Sequence, residues 1–377
     1  MENYVKRVIR MKIKTITCHD VYNAGASLQA YALSEYLLQQ GHDVEIIDYK
    51  PDYLSKRYNF KAIDNPKYEN FLIFKIIYII LKFPKRLLEH SGKKKFDKFR
   101  EDYLRLTVRY CSLEELKQNP PLANLYIAGS DQIWNTLFQN GKDGAFYLAF
   151  APKGTKKASY AASFSTETIA HEWKNRVKDW LSDFDNISVR EKSAVKLLDD
   201  IGIKGQVVLD PVFLLTEEQW KKMIKIKKPS KKIFVYDFDR NNFMKEISLI
   251  AKEKLEAKII SFFKVDYSDE NLKYPGPLEF LEVIYNSELI ISNSFHATVF
   301  SLIFHKEFFV VKRNENINLR MMDLLKLVGL EDRMISTEKE FELVEPIDWG
   351  KVDQVLKEER DKSIEYLMEI TKENENS

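Results

Sequence analysis

Apolar positions along this chain recur in short runs that switch between two periods. In "MKIKTITCHD" (11–20) an apolar alternation ends in a polar loop, which predicts a strand. In the sequence that follows, Leu28, Tyr31, Ala32, Leu37 and Leu38 repeat at helical intervals, and Gly41 supplies the stop. Val44, Ile46 and Ile47 then mark a second strand. Strand, helix and strand in that order make one right-handed crossover of a parallel sheet. Residues 51–109 break the rhythm with helical, charged and aromatic sequence, and read as an insertion. The strand pattern resumes in "NLYIAGSDQIWN" (124–135) and continues in "KKASYAASF" (156–164), "NISVRE" (186–191) and "GQVVLDP" (205–211), with helix-compatible stretches such as "EKSAVKLLDDIG" between. Such alternation predicts an α/β layered domain.

A boundary falls in "TEEQWKKMIKIKKPSKK" (216–232), where a capped helix start runs into a basic, proline-containing connector. Beyond it, "KIFVYDF", "AKIISFF", "LIISNSF" and "EFFVVKR" are four further strand candidates separated by helix-compatible sequence. The pattern thus divides the chain into residues 1–220, residues 221–340 and a charged, amphipathic helical tail over 341–377. In many two-domain chains of this kind the last helix returns across the first domain, an analogy of architecture. Two parallel-sheet domains in succession place ligand loops at the carboxyl ends of strands, facing one another across a cleft.

Composition narrows the function classes. With 59 Lys and Arg against 57 Asp and Glu, the formal charge of +2 provides no overall field for nucleic acid. The two cysteines, Cys18 and Cys111, lack the spacing of a zinc site or redox pair, so both read as reduced, small core residues of a cytoplasmic protein. Neither a paired-carboxylate motif nor a histidine cluster suggests a metal, and no cofactor is expected. The N-terminal residues show no secretion signal. The most apolar window, "FLIFKIIYIILKFPKRLL" (71–88), is interrupted by Lys75, Lys82 and Pro84 and is too short to span a bilayer. With the basic "KKKFDKFR" (93–100) behind it, the 71–100 segment is either a core helix running into a solvated one or a peripheral contact with an anionic membrane surface at the inner face.

Four polar loops follow predicted strands. In the first, Asn23, Gly25 and Ser27 stand just ahead of a helix, where backbone N–H groups can approach an anion or a sugar hydroxyl; as a plain helix start, Asn23 is the cap and Gly25 the tight turn. In the second, Gly129, Ser130 and Asp131 end a strand, Gln132 and Asn135 add amides, and Trp134 offers a face for a sugar ring; alternatively Asp131 is a cap and Trp134 belongs to the core. The third puts the fork of Arg190 at a sheet edge, suited to carboxylate or phosphate, or to an ion pair with Glu191 or another acid. The fourth, "ISNSFHATVFSLIF" (291–304), sets Asn293, Ser294 and His296 at the start of an apolar helix. There the dipole lowers the histidine pKa, so a neutral imidazole can accept a proton, unless Ser294 or the backbone satisfies it as a core residue.

Taken together and in order, "NAGASLQAYAL", "GHDVEIIDY", "AGSDQIWN", "KASYAASF", "SVREKSAVKLL", "VVLDPVFLL", "ISNSFHATVFSLIF" and "NLRMMDLLKLVGL" resemble the polysaccharide pyruvyl transferase family over residues 12–333. The resemblance implies a glycosyltransferase-B-like fold: two Rossmann-like domains around a cleft, here with a helical insertion in the N-terminal one. It also implies transfer of the enolpyruvyl group of phosphoenolpyruvate onto two hydroxyls of a sugar, giving a pyruvate ketal and free phosphate. The acceptor would belong to a surface polysaccharide or its precursor, lipid-linked or free. The family positions associated with the donor correspond to Arg190 and His296. Many members carry arginine two residues before that histidine, where this chain has Ser294; Arg313 and Arg320 are the nearest candidates to supply the charge.

On this reading the arginines hold the donor, His296 serves as base on the sugar hydroxyl or as a hydrogen-bond donor to the phosphate, and Asp131, if burial raises its pKa, acts as acid. Trp134 and the Asn23–Ser27 loop would hold the sugar. Two alternatives use the same architecture: a glycosyltransferase with a nucleotide-sugar donor, gripping ribose through Glu279 or Glu282, and a non-catalytic glycan-binding protein of an assembly complex.

Overall fold

The structure, a computed structural model, describes residues 10–54, 72–227, 230–312 and 318–372. Its first sheet is all parallel, in the order β3-β2-β1-β4-β5. The strands are β1 (Lys12–Ile16), β2 (Asp43–Tyr49), β3 (Leu106–Tyr110), β4 (Leu125–Ala128) and β5 (Lys156–Ser159). A short parallel pair, β6 (Ser188–Val189) and β7 (Gln206–Val207), adjoins β5 through isolated bridges. The second sheet is also all parallel, in the order β10-β9-β8-β11-β12-β13. Its strands are β8 (Lys232–Tyr236), β9 (Lys258–Ser261), β10 (Glu270–Asn271), β11 (Leu289–Ser292), β12 (Glu307–Val311) and β13 (Met334–Ile335). Parallel strands need covering on both faces, which explains why β4 and β11 are apolar runs with every residue buried.

The helices that place the site are α1 (Ala24–Gln39), α2 (Leu72–Tyr103), α3 (Lys192–Asp199), α4 (Pro277–Tyr285), α5 (Phe295–Ile303), α6 (Leu319–Val328) and α7 (Trp349–Ile370). The helix expected after β1 is α1, capped by Asn23 and ended where Gly41 takes φ of +89°. Within the expected insertion, α2 is followed by an edge strand, β3, that the pattern did not reveal. The reason is physical: an edge strand with one half-exposed face carries no continuous apolar run, and β3 reads "LTVRY". The two-residue strands β10 and β13 escaped for want of length.

Two features join the halves. Trp220, fully buried, packs edge-on against Tyr31 of α1 (5.8 Å) and Phe300 of α5 (5.1 Å), and its indole N–H donates to the Val212 carbonyl (3.1 Å). The last helix, α7, runs back across the first sheet: Tyr366 donates to the Ser159 carbonyl (2.7 Å), Arg360 to that of Leu214 (2.7 Å), and Ser363 accepts from the Leu209 N–H (2.9 Å). Consequently the carboxyl edges of the two sheets are held face to face in a glycosyltransferase-B-like arrangement.

Candidate active site

Loops after β1, β4, β8 and β11 converge on a pocket of about 180 Å³ between the sheets. The first wall is the start of α1. Asn23 accepts the Ala26 N–H (3.2 Å), and Gly25 packs so closely on the His296 imidazole that a Cβ at position 25 would overlap the ring. Glycine is therefore demanded there by approach rather than by backbone angle. The second wall is Asp131 and Gln132. Asp131 has φ of +76°, unusual for a side chain with a Cβ, and its carboxylate accepts its neighbour's N–H (Gln132, 2.9 Å). The opposite side comes from Tyr236, Phe238, Asn293, Ser294 and Phe295, with Arg320 of α6 beneath.

His296 occupies the first turn of α5, whose cap is Ser294, accepting the Ala297 N–H (3.4 Å). Its Nε2 is sealed from solvent and has no hydrogen-bond partner among the described residues; Asp210 Oδ2 lies 3.8 Å away. Burial is the main cause that lowers its pKa, and the neighbouring guanidinium of Arg190 lowers it further against the opposing pull of Asp210. The ring is thus neutral near pH 7. The core-histidine alternative fails on that orphaned nitrogen, since neither Ser294 nor a carbonyl satisfies it.

Asp210 organises this corner. Its Oδ2 accepts from Arg190 Nη1 (2.8 Å) and Ser130 Oγ (3.4 Å), while Oδ1 accepts the Val212 N–H (3.2 Å). Arg190 lies over the Phe295 ring (4.7 Å), with Glu191 Oε2 3.9 Å from its Nε; its Nε and Nη2 are buried without a hydrogen-bond partner among the described residues. Burial alone would lower the Arg190 pKa, but Asp210, Glu191 and Asp131 outweigh it and raise the value. Glu191 Oε1 accepts from Ser163 Oγ, Phe164 N and Ser165 N (2.9–3.1 Å), which leaves Oε2 towards Arg190. Arg320 sits over the same Phe295 ring (5.3 Å), and among the described residues none forms an ion pair or hydrogen bond with it. Burial, then the charge of Arg190, brings its pKa down to about 10. Two guanidinium groups and an imidazole therefore meet around one phenyl ring, and among the described residues one of the guanidiniums has no carboxylate of its own.

The structure brings Asn23, Gly25, Asp131, Gln132, Asn293, Ser294, His296 and Arg320 to the pocket, with Arg190 one layer behind Phe295. It corrects several expectations. Trp134 is a core residue: it is fully buried, stacks on Tyr147 (5.6 Å) and donates to the Phe146 carbonyl (3.0 Å), so no indole faces a sugar. Ser27, Gly129 and Ser130 stand behind the wall rather than lining it. The Ser27 hydroxyl turns to the His19 carbonyl, Gly129 lies against Thr17, and the Ser130 carbonyl accepts from the Thr17 hydroxyl (2.7 Å). Asp131 is only partly buried rather than enclosed. Glu279 caps α4 and pairs with Lys95 (2.9 Å), and Glu282 accepts the Lys225 N–H (3.2 Å), so neither reaches the pocket to grip a ribose. Arg313 lies outside the described residues. Cys18 is buried, whereas Cys111 is exposed, contrary to its expected core position.

Asp210, Phe295 and Phe238 went unnoticed in the sequence. For Asp210 the available signal was its place in "VVLDP", at the end of a short strand parallel to the one carrying Arg190; an Asp-Pro pair ordinarily reads as a turn.

The family model for polysaccharide pyruvyl transferase matches residues 23–315. Among curated proteins no relative matches the chain. Similar solved structures include a UDP-N-acetylglucosamine 2-epimerase (10% identity, TM-score 0.49, 95% of each chain covered). Another, from Rickettsia bellii, is 11% identical with a TM-score of 0.47 and covers 96% of this chain and 97% of its own. The spinosyn rhamnosyltransferase SpnG is 10% identical with a TM-score of 0.42 and 96% of each chain covered. With the match extending over most of the chain, from the cap of α1 past the end of β12, this protein belongs to the polysaccharide pyruvyl transferase family.

Proposed function

We propose that the chain transfers the enolpyruvyl group of phosphoenolpyruvate onto two hydroxyls of a sugar in a surface polysaccharide or its precursor, forming a pyruvate ketal. The observation that carries this reading is Arg320, a buried guanidinium with no acid partner among the described residues, beside Arg190 and the neutral His296, whose Nε2 has no hydrogen-bond partner among them. An uncompensated buried cation is costly unless an anion meets it. Phosphoenolpyruvate brings a phosphate and a carboxylate, one for each planar fork. Arg320 stands in for the arginine that many family members carry at the position of Ser294, which here is committed to capping α5. For Arg190 to take its share, the Phe295 ring must swing aside.

Chemically, the first hydroxyl adds at the enol carbon as the methylene carbon is protonated, and the second displaces phosphate from the same carbon. One hydroxyl proton ends on the new methyl group and the other leaves with phosphate. His296 is suited to receive a hydroxyl proton, since its Nε2 is free and its ring neutral. Asp131, at the pocket rim, is placed to exchange the other proton. Phe238, 60% exposed on the facing domain, offers the apolar face that Trp134 does not.

The test is phosphate release from phosphoenolpyruvate in the presence of an acceptor glycan library. Release should rise with pH through a histidine value below the ordinary ~6.5 and then level off, because only the neutral ring accepts a proton. His296→Ala should lower the rate by about 100-fold or more. Nucleotide-sugar turnover with no phosphate release, or glycan binding indifferent to His296→Ala, contradicts the proposal.

A further inference from the structure

The N-terminal half of α2 turns its apolar side outward. Ile73, Ile76, Ile77, Ile80, Leu81 and Leu87 are 44–74% exposed, six large aliphatic side chains within about four turns. At about 100° per residue they occupy less than half of the helix circumference. Among the described side chains of this stretch, the buried ones, Tyr78 and Arg86, fall on the opposite side, and Lys82 lies over the Tyr78 ring at 5.6 Å. A surface helix of a water-soluble domain has the reverse polarity, with its apolar stripe against the core. No helix among the described residues is long and apolar enough to cross a membrane, so α2 is not a span.

Charge decides between lipid and a second copy. Residues 72–100 contain nine Lys and Arg against two acidic residues. Two such segments brought together by a symmetric dimer would repel, whereas an anionic bilayer surface attracts each. The distal half of α2 is anchored to the cleft. Phe96 packs edge-on against Tyr22 (5.8 Å), immediately before the Asn23 cap; Arg100 pairs with Asp20 (2.9 Å); and Lys95 pairs with Glu279 of the other domain (2.9 Å).

We propose that the outward apolar face of α2, with its basic continuation, seats the protein on an anionic lipid surface and holds the cleft mouth close to that surface. The inference does not depend on which donor the pocket binds. The test is co-sedimentation of the full chain with vesicles of phosphatidylcholine alone or with added phosphatidylglycerol, at low and high salt. Binding is expected to the anionic vesicles and to weaken several-fold at high salt. The pair Ile77→Asp and Leu81→Asp should reduce it by more than about tenfold without shifting the melting temperature. As a check independent of that pair, Ile80→Cys carrying a polarity-sensitive dye, in a Cys111→Ser background, should shift to the blue on adding anionic vesicles. Equal binding to both vesicle types, no binding to either, or a dimer without lipid that the same pair of substitutions dissolves would each overturn the proposal.

Discussion

Arg320 is the residue whose environment makes least sense for the empty protein and most sense for a protein that binds an anion. Its pKa of about 10 records a charge held against burial and against Arg190. Replacing a buried, unpaired ion by an apolar side chain of similar length is often stabilising. Arg320→Met should therefore raise the stability of the ligand-free protein by about 1 kcal/mol, read as a higher melting temperature. The same change should weaken phosphoenolpyruvate binding by more than about tenfold, the worth of a charge-assisted contact. A destabilised variant with unaltered binding would show that Arg320 is structural. Arg190, directly after β6, and His296, in the first turn of the helix that follows β11, were legible from sequence because both stand at strand ends, where side chains reach a cleft. Trp134 misled because it stands in a similar loop, yet the chain folds it back under Tyr147, a contact 13 residues away that no local pattern encodes. Asp210 was hidden for a related reason: its partners, Arg190 and Ser130, come from other strand ends.

At the scale of elements, the helices and buried strands followed from periodicity, since α1 and β11 show their pattern within a few residues. The edge strand β3 did not, and what holds it is charge. Arg109 of β3 donates to both oxygens of Asp48 on β2 (2.9 and 3.1 Å) and to Asp20 (3.2 Å), while His19 donates to Asp48 (3.2 Å). Burial alone would raise the Asp48 pKa; the hydrogen bonds from His19 and Arg109 overcome this and bring it to about 2. A carboxyl depressed in the folded state stabilises fully above its unfolded value near 4, and that stabilisation is lost as pH falls towards 2. Asp48→Asn should cost about 1–2 kcal/mol at pH 7, after allowance for solvent screening, and about nothing at pH 2. Equal destabilisation at both values would locate the effect in packing instead. The same cluster includes Arg100 of α2, so the insertion is fastened to the first sheet near the site.

For the whole molecule, the two-domain plan was visible in the repeated strand–helix alternation, and the return of α7 was anticipated only by analogy. What sequence did not disclose is how the halves are clamped. Trp220 lies in the connector region yet fills the space between α1 and α5, and α7 hydrogen-bonds to backbone next to β5 and β7. These contacts set the distance between the α1 loop and α5, and hence the close fit of Gly25 on His296. The most direct test is a crystal grown with phosphoenolpyruvate. The account predicts density for the donor against Arg320 and His296, with Phe295 displaced and an Arg190 nitrogen within hydrogen-bond distance. Donor density elsewhere on the molecule, or a donor touching neither guanidinium, would contradict it.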